Sequence, residues 1–206
     1  MRINFILLLV IFSIILAITM FGAGSFVQNK IKPYIDQFEN DVGSIDYLTH
    51  IRNSSQSFYD GNYENQLSEA KISLSYATTA NQQAIAYYWM GLAEYKLQDR
   101  ASAYDHLKKS LELNSSNAGP YVTLGAIAFD TGKYQEGLDD GLICRQLDPQ
   151  YGWCYSTIAF GYFYMNKTDL AIANFEKAVE LSPDNFAFRD NLKRAREYKV
   201  YMTGTK

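Results

Sequence analysis

Few residues in this chain belong to the types that carry out chemistry. Its two histidines, His50 and His106, stand alone in the sequence. Such a histidine is more often a solvated or partly packed side chain than a metal ligand or a general base. The adjacent carboxylates Asp139 and Asp140 are most simply part of a solvated helix face. We therefore predict no metal site.

The short motifs of common active sites are absent as well. The sequence has no glycine-rich phosphate loop, no HExxH, no GxSxG and no CxxC. The formal net charge of −3 gives no basic field of the kind that binds nucleic acid. We therefore predict that the protein is not an enzyme, that it uses no cofactor and that it binds no nucleic acid.

The composition is that of a folded, largely helical protein. Apolar residues make up 48% of the 206 residues and aromatic residues 15%, which supplies a hydrophobic core and excludes bulk disorder. Seventeen tyrosines against four prolines favour helices rich in aromatic side chains. Two cysteines are too few for a disulfide scaffold.

The chain begins with a long apolar segment. Residues 3–21 carry no charge, and a helix of this length spans about 28 Å, close to the hydrocarbon thickness of a bilayer. The length favours a retained transmembrane anchor over a signal peptide, whose apolar stretch is usually about 7–15 residues. The alternative is cleavage near Gly24, which would give a secreted protein. We predict a single-pass membrane protein with an extracytoplasmic body.

From about residue 45 the chain is a series of helical segments separated by turn residues. Within each segment, apolar residues recur at the i, i+3, i+4 and i+7 spacing of an amphipathic helix. The segments themselves recur with a period of 34 residues. Three sets of residues keep this period: Gly91, Gly125 and Ala159; Met90, Leu124 and Ile158; and Tyr87, Tyr121 and Tyr155.

A helix–turn–helix unit of 34 residues resembles the tetratricopeptide repeat (TPR). The unit with the most matches to its pattern carries Tyr155, Ile158, Ala159, Tyr162, Ala171, Phe175, Ala178 and Pro183. An earlier unit departs from the pattern at Glu94, where an apolar or aromatic residue is expected. The resemblance implies an all-α helical-repeat solenoid, a right-handed superhelix whose first helices line the concave side.

The repeats and the terminal segments divide the chain into seven parts. Residues 45–83 are interpreted as a degenerate repeat, whose spacing to the next unit is about three residues too long. A final helix is expected to cap the last repeat, which would otherwise expose its apolar face. The predicted parts are 1–25, anchor or signal peptide; 26–44, a partly helical connector; 45–83, the degenerate repeat; 84–117, 118–151 and 152–185, repeats; and 186–206, a basic capping helix and tail.

Each first helix carries a second stripe of apolar and aromatic residues besides the one that packs inside its repeat. By resemblance to the family, this stripe faces the concave groove. Its members are Tyr88, Leu92, Tyr95, Val122, Phe129, Trp153, Phe160, Phe163 and Tyr164. Aromatic side chains on a rigid concave face are typical of binding hot spots. The alternative is that the groove is filled from within the chain, by the connector or by tight curvature.

These features predict a membrane-tethered protein-interaction module, namely a scaffold, assembly factor or chaperone adaptor, that binds an apolar or aromatic segment of another protein. The alternative is a structural subunit of a membrane complex. Some TPR proteins bind acidic C-terminal peptides through a clamp of Lys, Arg and Asn side chains. None of the matching positions here is basic or Asn, so no carboxylate-clamp peptide is expected as a partner. These positions are Tyr88, Leu92, Thr123, Trp153 and Thr157.

The two cysteines, Cys144 and Cys154, flank a turn at Asp148-Pro149 that folds one helix back beside the next. Both side chains are therefore expected in one seam between repeats, where a disulfide needs Cα atoms about 4.4–6.8 Å apart. An oxidising compartment would let the bridge form, whereas the cytoplasm would keep two buried thiols. The alternative is that Cys only replaces Ala in a tight seam.

Three Asn-X-Ser/Thr triplets begin at Asn53, Asn114 and Asn166. Asn114 and Asn166 fall in predicted turns between helices. If the body is extracytoplasmic in a host that glycosylates proteins, these two residues are expected to carry N-linked sugar.

Overall fold

The computed structural model describes residues 45–204, and residues 46–204 lie within one compact unit. Over this range the chain forms nine α-helices. They are α1 (Ile45–Tyr59), α2 (Tyr63–Tyr76), α3 (Ala80–Lys96), α4 (Arg100–Leu113), α5 (Gly119–Asp130), α6 (Tyr134–Leu147), α7 (Gly152–Tyr164), α8 (Thr168–Leu181) and α9 (Phe186–Thr203). The prediction of an all-α helical-repeat solenoid is confirmed for this part of the chain.

The helices pack in the order in which they follow one another along the chain. α3 packs on α4, α5 on α6 and α7 on α8, and the second helix of each pair also contacts the first helix of the next. In addition α3 contacts α5, and α5 contacts α7. The first helices therefore lie side by side along one face, which is the arrangement that forms a groove.

The turn inside each pair has a shared backbone conformation. One residue in each of these turns has a positive φ: Gly61 at 72°, Gln98 at 68°, Gly132 at 76° and Asn166 at 59°. Glycine and asparagine adopt this left-handed conformation more readily than other residues, so the turns at residues 61, 132 and 166 suit their sequence. The same turn conformation therefore recurs in all four helix pairs of the described residues.

Small residues let the paired helices approach, and larger apolar residues fill the space around them. A Cβ atom added to Gly91 would lie 2.7 Å from Leu107 Cγ and 3.0 Å from the carbonyl oxygen of Ala103. At the other end of the array, Leu192 and Ala195 of α9 join the core of the last pair. α9 thus covers the apolar face of that pair.

The first helix pair is packed differently. Between α1 and α2, Ser54 Oγ donates to the Gln66 carbonyl oxygen at 3.0 Å. Gln66 Nε2 in turn donates to the Trp89 carbonyl oxygen of α3 at 3.1 Å. α3 is also longer than α5 and α7, with 17 residues against 12 and 13. Its extra turn starts at a capping box formed by Thr79 and Gln82. This added turn accounts for the longer spacing between the first two units.

Both histidines pair with a glutamate on the partner helix. His106 Nδ1 lies 2.6 Å from Glu94 Oε2, and the His106 ring stacks on Tyr87 with 5.7 Å between centroids. His50 Nδ1 lies 2.6 Å from Glu69 Oε2 in the first pair. The buried Glu94 therefore departs from the repeat pattern because a histidine on α4 supplies its partner.

α6 and α7 approach closely through small residues on both helices. A Cβ added to Gly141 would lie 2.9 Å from the backbone nitrogen of Ile158, and one added to Gly161 would lie 2.8 Å from Leu138 Cβ. In the same seam Cys144 and Cys154 form a disulfide, with Cα atoms 5.3 Å apart and both side chains fully buried. The seam is therefore held by backbone proximity and by a covalent bond.

No helix between residues 45 and 204 is both long enough and apolar enough to cross a membrane. The predicted anchor at residues 3–21, the cleavage site near Gly24 and the connector at 26–44 lie outside the described residues. They remain predictions.

Candidate partner-binding groove

The candidate groove is the face formed by α3, α5 and α7, which is where the sequence predicts the nine residues of the second stripe. Tyr88, Leu92 and Tyr95 share one face of α3 because their spacing follows the helical repeat. The stripes of α5 and α7 follow the same spacing. Some of the aromatic members meet other residues at the two ends of the first helices, and others pack on α8 and α9.

Near the N-terminal ends of α5 and α7, Tyr88 of one repeat lies against Tyr151 of another. The Tyr88 hydroxyl lies beside that of Tyr151, which is in the turn before α7. The Tyr88 ring covers Gly119, where an added Cβ would lie 2.8 Å from Cζ. Burial raises the pKa of both hydroxyls, and the proximity of Tyr151 raises that of Tyr88 further. A cavity of about 420 Å³ opens beside this pair.

At the opposite end, polar and aromatic contacts join α3, α5 and α7. The Tyr95 hydroxyl lies near the carboxylate of Asp130, which accepts a hydrogen bond from Arg100 Nε at 3.0 Å. Burial, followed by the Asp130 charge, raises the pKa of Tyr95. The Tyr164 ring lies 5.5 Å from that of Phe129. Asp130 is thus neutralised within the chain by Arg100.

The remaining aromatic residues of α7 pack against α8 and α9. The Trp153 ring lies 4.7 Å from that of Phe188, measured between centroids. The Phe160 ring lies 5.2 Å from that of Phe175, and the Phe163 ring lies 5.0 Å from that of Tyr198. The capping helix therefore fixes Trp153 and Phe163 from behind. Three residues of the predicted stripe, Trp153, Phe160 and Phe163, therefore pack against other helices of the chain.

Two members of the predicted stripe keep substantial exposure. Trp153 is 37% exposed and Tyr164 is 43% exposed, whereas the other seven are partly buried. Tyr151 and Tyr134 also lie beside stripe residues but were not predicted from the sequence. The Tyr134 ring stacks on that of Tyr164, with 5.0 Å between centroids. Neither lies on a first helix, so helical periodicity gave no signal for them. Tyr59, which is 77% exposed at the end of α1, was missed as well.

The positions that match a carboxylate clamp are uncharged and largely occupied. Thr123 and Thr157 are buried, and Thr157 Oγ1 donates to the Trp153 carbonyl oxygen at 2.9 Å. Tyr88 is engaged with Tyr151 and Gly119. No cluster of three or more His, Cys, Asp or Glu side chains among residues 45–204 is arranged to hold a metal ion.

A second concave feature lies between α4, α5 and α6, away from the groove. This cleft of about 280 Å³ has an apolar floor that includes Leu124 and Ile127, and Asp140 lies on its rim. Burial raises the pKa of Asp140 to about 7; repulsion from Glu136 adds to the rise and Lys108 opposes it. Asp140 is therefore only partly solvated, unlike its exposed neighbour Asp139.

Replacing Asp140 with asparagine is expected to stabilise the chain above pH 7 and to have little effect below pH 4. Folding raises the pKa of Asp140 from 3.8 to about 7, so the folded chain holds this proton more tightly than the unfolded chain. Its contribution to stability is therefore full below pH 4 and is lost as the pH rises to about 7. Denaturant unfolding across this range measures the difference. Asp139→Asn is the control, and a pH-independent effect of Asp140→Asn would contradict the burial of Asp140.

Comparison with known proteins identifies the repeat. A model of the tetratricopeptide repeat family matches residues 84–117 and 154–185. These two segments therefore match the tetratricopeptide repeat that the 34-residue period predicted. The solved first TPR domain of Spaghetti (RPAP3), bound to the HSP90 peptide SRMEEVD, shares this fold with a TM-score of 0.54 and 20% identity. That match covers 59% of this chain and 97% of the domain.

Two curated relatives extend the comparison. The chain is 28% identical over 101 residues to Small glutamine-rich tetratricopeptide repeat-containing protein 2 of Mycosarcoma maydis, covering 48% of this chain and 28% of that protein. It is 27% identical over 103 residues to Hsp70-Hsp90 organizing protein 3 of Arabidopsis thaliana, covering 50% of this chain and 18% of that protein. The chain thus matches less than a third of each relative's length. These matches relate it to TPR protein-interaction modules.

Proposed function

We propose that this chain is a non-enzymatic scaffold or adaptor that binds an apolar or aromatic segment of another protein in its concave groove. The observation that carries the proposal is the pair of partly exposed rings, Trp153 and Tyr164, each held by aromatic neighbours. A ring that is already fixed loses little conformational entropy on binding and still buries a large apolar area.

The lack of charged residues in the predicted stripe supports an uncharged ligand segment. All nine stripe residues are uncharged, and the nearby carboxylate of Asp130 is paired with Arg100. A charged ligand side chain would lose its water there without gaining a partner, which is unfavourable. The cavity beside Tyr88 offers space for one ligand side chain at the end of the groove.

We propose further that acidic C-terminal peptides are not ligands of this chain. The Spaghetti domain is bound to such an HSP90 peptide. Recognition of a carboxylate favours charged donors, and the five matching positions offer two threonines, a leucine, a tyrosine and a tryptophan. Tyr88 also fills its own position by packing on Gly119.

The proposed location is the extracytoplasmic face of a membrane, with residues 3–21 as the anchor. The apolar run supports the anchor. The Cys144–Cys154 disulfide supports an oxidising compartment, because such bonds are rare in the reducing cytoplasm.

Changing Tyr164 to aspartate is expected to lower the amount of bound partner by about 30-fold. The charge would face an apolar ligand and would remove a hot-spot ring, a loss of about 2 kcal/mol. The matched control is Tyr104→Asp on α4, because Tyr104 is 41% exposed and lies outside the groove. The measurement is quantitative mass spectrometry of proteins that co-purify with each full-length variant from solubilised native membranes.

Equal recovery of every co-purified protein with Tyr164→Asp and with the unchanged chain would contradict the proposal. Circular dichroism of both variants checks that the fold is retained. If Tyr104→Asp lowered the recovery of the partner and Tyr164→Asp did not, the binding surface would include α4 and not the groove.

A further inference from the structure

The three Asn-X-Ser/Thr triplets stand in different structural settings. An N-linked glycan is attached to the side-chain amide nitrogen, so the folded chain must leave that atom open to solvent. The three asparagines lie in α1, in the turn before α5 and in the turn before α8. Their amide contacts can therefore be compared directly.

Two of the three amides are already engaged. Asn53 lies within α1, and its Nδ2 donates to Glu69 Oε2 at 3.3 Å. Asn114 Nδ2 donates to Asn81 Oδ1 at 2.7 Å, while its Oδ1 accepts from the backbone nitrogen of Ser116 at 3.0 Å. A sugar on Asn114 would have to fit against the start of α3.

Asn166 is free of such contacts. It is exposed in the turn between α7 and α8 with a φ of 59°, and its backbone nitrogen donates to the Phe163 carbonyl oxygen at 3.0 Å. Within residues 45–204 its side-chain amide makes no hydrogen bond. The turn therefore holds the backbone while the amide projects into solvent.

We propose that Asn166 is the acceptor of an N-linked glycan, and that Asn53 and Asn114 are not. The proposal rests on the extracytoplasmic location proposed above. The donor is an oligosaccharide joined through phosphate to a polyisoprenoid lipid, and a transferase of the host supplies the catalysis. The Asn166 nitrogen forms a bond to C1 of the first sugar and loses one proton. The bond between C1 and the phosphate oxygen breaks, and the lipid phosphate leaves with the electron pair.

The test is peptide mass mapping of the full chain purified from its native membranes, with thiol alkylation of the same sample before reduction. We expect a glycan on the peptide that contains Asn166, unmodified Asn53 and Asn114, and no alkylated cysteine. An intact disulfide with an unmodified Asn166, or with sugar on either of the other two asparagines instead, overturns the glycan assignment alone. Two alkylated cysteines with an unmodified Asn166 overturn the location as well.

Two variants expressed in the native host confirm the site. Thr168→Ala removes the triplet and keeps Asn166, and Asn166→Gln places glutamine where Gln98 shows that it adopts the same turn, with a φ of 68°. Both are expected to lose the whole glycan mass. Asn114→Gln is the control and is expected to keep it. Retention of the glycan in Asn166→Gln would overturn the assignment.

Discussion

Replacing Gly141 with alanine is expected to destabilise the folded chain by about 3 kcal/mol. The added Cβ would lie 2.9 Å from the backbone nitrogen of Ile158 and 3.0 Å from its Cγ1. Because the first of these atoms is backbone, relief requires α6 and α7 to move apart, and the Cys144–Cys154 disulfide opposes that movement. An unhindered helical glycine would respond in the opposite way, gaining about 1 kcal/mol from the same change.

Guanidinium unfolding of the full-length chain, followed by helical circular dichroism, measures this effect. Gln146→Ala is the control on the same helix, since Gln146 is exposed, and its effect is expected within about 0.5 kcal/mol. If Gly141→Ala matched or exceeded the unchanged chain in stability, α6 and α7 would not be packed as closely as the structure has them.

Replacing Cys144 and Cys154 together with alanine is expected to cost about 2.5–3 kcal/mol of stability. The disulfide joins residues that are 10 apart in sequence, and it stabilises the fold mainly by restricting the unfolded chain. Reductant should therefore lower the unfolding midpoint of the unchanged chain towards that of the double variant. The double variant is the control for the reductant, because it has no disulfide to reduce and its midpoint should not change. A reductant-insensitive midpoint, with both thiols shown to be free, would refute the stabilising role of the bond.

The helical-repeat fold could be predicted from the sequence because similar residue types recur every 34 residues. Gly91, Gly125 and Ala159 stand where a small side chain is required, and such a requirement is visible without a structure. The extra turn of α3 also left a signal, since Thr79 and Gln82 have the spacing of a capping box. A capping box at these two positions predicts that α3 starts at residue 80.

The side-chain contacts of the groove could not be read in the same way. Periodicity assigns Tyr88 to a face of α3, but its contact with Tyr151 depends on a turn more than sixty residues later in the chain. Glu94 looked like a departure from the pattern because its partner, His106, lies on another helix. Such pairings arise from the packing of whole helices, and a single sequence does not record them.

The exposed rings of the groove and the covered ones have separate roles. Phe160 is packed on Phe175 and Phe163 on Tyr198, so these rings stabilise the stack of α7, α8 and α9. Trp153 and Tyr164 are 37% and 43% exposed, and these two rings are the ones proposed to contact a ligand. A ligand-binding surface of this kind is rigid because its support is part of the core.

Photo-crosslinking from inside the groove tests the central claim most directly. The full-length chain carries benzoylphenylalanine in place of Tyr164, or in place of Tyr104 as the control, and is irradiated in native membranes. The account predicts one dominant crosslinked protein from position 164, through an uncharged apolar or aromatic segment, and none from position 104. Crosslinks of equal yield from both positions would contradict it and favour a subunit enclosed on all sides. Capture of an acidic C-terminus at position 164 would contradict it too.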